Sequence, residues 1–165
     1  MFAPNAYGWN PPAVGVPVSG VYYNRASSVI AGGEVGLRAG VGGVAIGRFG
    51  WAEPDGLVLN SRSSAQGLIG MVAIQYADWL RVFWDEATST WRIREGFPVT
   101  MLRAAPGVWT QFPSGAPYNQ PVYTDPLDGV PVAGYALGLE NTGWRVGQPH
   151  GPSGLSLITT WNPST

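Results

Sequence analysis

The sequence predicts an all-β protein: an antiparallel β-sandwich or β-barrel of many short strands behind an extended Pro/Gly-rich N-terminal arm. Gly and Pro, at 24 and 15 of 165 residues, cut every apolar run to a few residues, and neither continues a helix well. Between these breaks apolar and polar residues alternate, most clearly over Leu80–Glu95, as a half-buried strand requires. Gly and Pro together make about a quarter of the chain, yet 45% of residues are hydrophobic and eight are Trp, so enough apolar surface is available to order it. The length suits one core, with residues 1–20 as the arm and 21–165 as a single β domain.

The arm carries Pro4, Pro11, Pro12 and Pro17 with Gly8, Gly15 and Gly20, and each internal proline would remove a helix donor and clash with the turn before it. Its Phe2, Tyr7 and Trp9 have few local partners, so they are the candidate contacts to the domain or to a neighbouring subunit. Val21–Tyr23 and Glu34–Ala39 read as strands around a small-residue turn. Gly40-Val41-Gly42-Gly43-Val44-Ala45 matches the letters of a dinucleotide fingerprint, but that motif needs a following helix and an acid about twenty residues on. Gly47, Gly50 and Pro54 forbid the helix and position 60 is Asn, so a Gly-rich loop leading into a strand is expected.

Arg48–Glu53 and Gly56–Asn60 flank a Pro54-Asp55-Gly56 turn and read as a hairpin. A short helix is possible over Ser63–Gln66, and Gly67–Tyr76 reads as a strand broken by Gly70. Leu80–Glu95 is a hairpin turning at Glu86–Thr90, with Trp84 and Trp91 meeting across the strands and Arg92 and Arg94 lining the other face near Asp85. Gly96–Val132 is a run of short strands in which Asp125-Pro126-Leu127-Asp128-Gly129 forms a turn, pairing Val122–Thr124 with Val130–Val132. Tyr135–Leu139, Trp144–Val146 and Leu155–Trp161 are the remaining strands, the last two joined by a Pro149–Gly154 loop.

The composition excludes several kinds of chemistry. There is no Cys, so no disulfide, thiolate metal site or Cys nucleophile is available, and the one His, His150, lies in a loop where it has neither a triad nor a zinc set around it. Asp85, Glu86, Glu95, Asp125 and Asp128 are carboxylates of the type a glycosidase uses, but most fall at turns where Asp is chosen for its backbone bonds. A Ca²⁺ site at Asp125 and Asp128 would need six or more oxygens and has two local ones. No catalytic residue, cofactor or metal is expected. Nine Arg against ten acids give a net charge of −1, which argues against a nucleic-acid groove, and no stretch is apolar enough to span a bilayer. The chain is expected to be soluble and made in a cytosol.

The segment around Val108-Trp109 and Pro121-Val122-Tyr123-Thr124-Asp125-Pro126-Leu127-Asp128-Gly129 resembles the structural cement, or head decoration, proteins of tailed bacteriophages. Gly143-Trp144 followed by Gly154-Leu155-Ser156-Leu157-Ile158 resembles that family's closing strand, and the similarity extends over about residues 20 to 160 on the scale of one domain. The resemblance implies a non-enzymatic virion protein on the capsid exterior, made in the host cytoplasm, with the major capsid protein as partner and a homotrimer as assembly. The chain departs from the family in its long Pro-rich arm and its many Trp residues. Two other readings remain open: a tail or baseplate accessory protein, and a carbohydrate-binding module whose exposed aromatic faces stack on sugars. Only 12% of the residues are charged, which fits equally a surface largely covered by partners and a polar-neutral one built from Ser, Thr, Asn and Gln.

Overall fold

The structure, a computed structural model, describes residues 29–30, 36–74, 82–149 and 154–160. The arm with Phe2, Tyr7 and Trp9, the expected Val21–Tyr23 strand, the first residues of the Leu80 hairpin and His150 lie outside the described residues. Among the described residues there are fourteen strands and no α-helix: β1 Val29–Ile30, β2 Arg38–Ala39, β3 Val44–Ala45, β4 Phe49–Ala52, β5 Leu57–Leu59, β6 Leu68–Ala73, β7 Val82–Asp85, β8 Thr90–Ile93, β9 Thr100–Ala104, β10 Val108–Thr110, β11 Pro121–Thr124, β12 Pro131–Ala133, β13 Glu140–Gln148 and β14 Ser156–Thr159.

They form three sheets, ordered β1-β9-β6-β4-β5-β2, β10-β14-β13-β11-β12 and β3-β8-β7. Pairing is antiparallel throughout except between β2 and β5, which run parallel. The all-β expectation therefore holds.

Alternation along the central strands explains how the layers are built. In β6, Met71 and Ala73 face one core while Val72 and Ile74 just beyond it face another; in β9, Met101 and Leu102 divide the same way. The first core lies inside the curl of the six-stranded sheet, where Leu37, Ala39, Val58, Val72, Val99 and Met101 meet Val82, Trp91 and Ile93 of the hairpin sheet. The second lies between the six-stranded sheet and the five-stranded one, where Phe49, Met71 and Leu102 meet Val122, Trp144 and Ile158. Phe49 and Trp144 touch edge to face, with ring centroids 6.4 Å apart. Each such ring contributes roughly 1.5–3 kcal/mol by leaving water.

The curl is tied shut by the segment that leads into β9. Ala39 donates to Phe97 O at 2.9 Å, Gly96 to Ala39 O at 2.8 Å and Val99 to Leu37 O at 3.1 Å. Strand β2, at one end of the sheet order, is thus bonded to residues continuous with β9 near the other end. Gly50 and Gly70 sit opposite each other in the wall, and both are needed small: a Cβ on Gly70 would lie 2.9 Å from the Met101 methyl, and one on Gly50 2.8 Å from Val72.

Residues 43–60 knit the three sheets together. Gly47, at φ +76°, donates to Val72 O at 2.8 Å and accepts the buried Thr110 hydroxyl at 2.6 Å. Asn60 accepts from Ala45 N–H at 2.7 Å and donates to Ala45 O at 3.3 Å and Phe49 O at 3.1 Å. Phe49 N–H donates to Gly129 O at 2.8 Å, and a side chain on Gly129 would collide with the Phe49 carbonyl.

Three sequence expectations change. Tyr135–Leu139 is a connecting loop, because Gly134 and Gly138 take positive φ, Leu139 N–H turns back to Ala136 O at 3.2 Å and residues 135–138 are all exposed. Ser63–Gln66 is a bend, whose carbonyls at Ser64 and Ala65 accept from the Arg62 guanidinium. Within the described part of Glu34–Ala39 only Arg38–Ala39 is extended into a ladder.

Candidate interaction surface

Residues 40–43 form a Gly-rich loop leading into β3, as expected from the sequence, and the structure adds a clasp between this loop and the hairpin. Gly43, at φ +78°, is buried so closely that a Cβ would strike the Ile93 carbonyl. Arg92 donates to Gly43 O at 2.9 Å and Gly42 O at 3.3 Å, and Glu95 accepts from Gly42 N–H at 3.2 Å. With Gly43 N–H donating to Gly40 O at 3.0 Å, the amides and carbonyls of Gly42 and Gly43 are committed to protein groups. Burial lowers the Arg92 pKa, while Asp85, 3.8 Å away, opposes that shift and Arg48 adds to it.

Of the carboxylates singled out by type, Asp85, Asp125 and Asp128 serve their own turns, while Glu95 is engaged by the clasp loop. Asp85 accepts from Thr88 Oγ1 at 2.8 Å and Ala87 N–H at 3.0 Å, and the Thr88 hydroxyl is the main cause of a pKa below the usual Asp value. Asp125 accepts from Leu127 N–H at 2.9 Å and Asp128 from Val130 N–H at 3.0 Å. Glu86 is exposed at the tip of the Asp85 turn. A carboxylate the sequence did not single out, Glu53, is held by the Ser64 and Ser63 hydroxyls, which lower its pKa in that order. Among the described residues no three His, Cys, Asp or Glu side chains gather as a metal set would.

What the surface offers instead is isolated apolar side chains on turns. Strand β11 lies between β12 and β13, and β13 begins opposite Thr124, so the chain leaving β12 must cross β11 to reach it. That crossing lays Tyr135 edge-on to Tyr123, ring centroids 5.6 Å apart, and leaves Tyr135 72% and Leu137 92% exposed. The β11–β12 turn leaves the same end of the sheet, its Leu127 80% exposed. Arg62 ties this end to the β5–β6 connection through its bridge to Glu140 at 3.0 Å and its N–H to Pro126 O at 2.8 Å. Val41 and Phe97 form a smaller exposed pair beside the clasp, on segments bonded through Ala39.

The Trp residues are placed differently. Trp51, Trp91 and Trp144 are buried and Trp84 and Trp109 half-buried, so no described Trp presents an open face. Among the described residues the exposed aromatic rings are Phe97, Tyr118 and Tyr135.

No family model and no curated protein match the sequence. Among solved structures, the fold is shared with a chain of the capsid of Myoviridae phage XM1, with a TM-score of 0.59 at 15% identity over 90% of this chain and 92% of that one. At that identity the likeness is one of fold.

Proposed function

We propose that this chain is a structural protein of a tailed-phage particle, a cement or decoration protein seated on the outside of the head where coat subunits meet. The observation that carries the reading is the fold likeness to a chain of a phage capsid, which runs nearly end to end in both chains. Apolar side chains held out on rigid turns of a charge-poor surface support it, since such groups are stabilised by being covered. In this reading the partners are the major capsid protein and other copies of the chain, arranged as a trimer about a local symmetry axis. In the assembled particle Phe2, Tyr7 and Trp9 of the arm are contacts to coat or neighbouring subunits, and the protein performs no catalysis.

The mechanism is mass action. A ligand that binds the assembled shell and not its free subunits stabilises the shell by about 2.7 kcal/mol when present at about a hundred times its dissociation constant. The purified protein should therefore co-sediment with intact heads but not with unassembled coat protein, and raise the temperature at which heads release their DNA. Equal binding to free coat protein, or none to heads, overturns the proposal.

A further inference from the structure

We propose that the crossing loop and turn at one end of the five-stranded sheet, with Tyr123, Leu127, Tyr135 and Leu137, form the seat for the chain's own N-terminal arm. This deepens the capsid reading by naming the surface that receives the arm. The seat is built in advance: the Gly134 and Gly138 turns fix the loop over β11, and the Tyr123–Tyr135 pair presents an edge-to-face step on the outward side of the strand. Leu127, in the turn that follows Thr124, and Leu137, three residues before Glu140, lie on the two connections at that end of the sheet and are 80% and 92% exposed. An aromatic and aliphatic step of this kind is what proline-rich segments dock on, because their extended backbone is already set and loses little freedom on binding.

The arm matches in chemistry and in reach. Residues 1–28 hold four prolines and the aromatic rings of Phe2, Tyr7 and Trp9, with Arg25 as their only charged side chain, so they bring no acid toward the seat's Asp125, Asp128 and Glu140. The segment joins the fold at Val29 of β1, three strands from β4 in the sheet order, and Phe49 of β4 bonds Gly129 in the turn that carries Leu127. Extended chain covers about 3.3 Å per residue and neighbouring strands lie about 4.8 Å apart, so twenty residues more than span that distance, within one copy or between adjoining copies.

The absence of Cys provides the test. In the full-length protein, Asn10→Cys, which keeps the neighbouring Trp9, is combined with Leu137→Cys, and in a control with Val41→Cys, which is 82% exposed on the clasp loop. Under mild oxidation the Leu137 pair should form disulfide at least about tenfold faster than the Val41 pair, as a fast-migrating monomer if the arm docks at home or as a dimer if it docks next door. Equal rates overturn the inference, as does a dimer formed by Leu137→Cys alone, which would put a second copy's seat there instead. Leu137 and the control Val41 are both exposed, so replacing either leaves the two cores untouched. Because no capsid is present, failure here is separate from failure to bind heads.

Discussion

Asn60 shows how much one side chain can carry without advertising it. Its amide closes three hydrogen bonds to the backbone of Ala45 and Phe49, joining the hairpin sheet to the central one where no ladder runs between them. Asn60→Ala leaves those part-buried groups without their partner, a loss of about 1–3 kcal/mol. Urea unfolding should show a lower midpoint at an unchanged slope, and an unshifted midpoint would mean that water replaces the amide without cost. The sequence marked position 60 only as the wrong residue for a nucleotide site, because its partners lie 11 and 15 positions away. Asp125 and Asp128 were legible for the opposite reason: their partners are two residues on, and turn chemistry is local.

At the scale of elements, the β7–β8 hairpin was the most readable part of the chain. Trp84 does pair with Trp91, their rings 5.4 Å apart at 66°, and Asp85 pairs with Thr90 beside Arg92. The loop at 135–139 was not readable, because its apolar residues imitate a strand and only the place of β11 between its neighbours forces the chain to cross. The hairpin also carries a pH signature. The Asp85 pKa is depressed in the folded state, chiefly by the Thr88 hydroxyl, so its charge stabilises the fold above the unfolded Asp value of about 3.9, and that share is lost as pH falls through the folded value. The difference in melting temperature between wild type and Asp85→Asn should be largest near neutrality and shrink below about pH 4. A difference that stays constant down to about pH 2 would show that the carboxylate's charge is irrelevant to the turn.

For the whole molecule, the sequence specified strands and turns but not the number of layers. Short apolar runs are equally compatible with a sandwich and with a barrel, and the fold has features of both, a curled six-stranded sheet with the five-stranded one packed on its outside. The glycines at 50 and 70 leave room for Val72 and Met101 inside the curl, a requirement visible only once the strands are paired. The seam that shuts it, between residues 37–39 and 96–99, joins parts of the chain far apart in sequence and has few bonds of its own. Such long closures are entropically late in folding and early to open. In native-state hydrogen exchange the amides of Ala39, Gly96 and Val99 should lose protection before those of β4 and β6. The molecule would then breathe along a zip: the inner β4–β6 ladder stays intact while the wall parts at one line. A partner laid across that line would slow the breathing of the entire cylinder by touching a handful of residues.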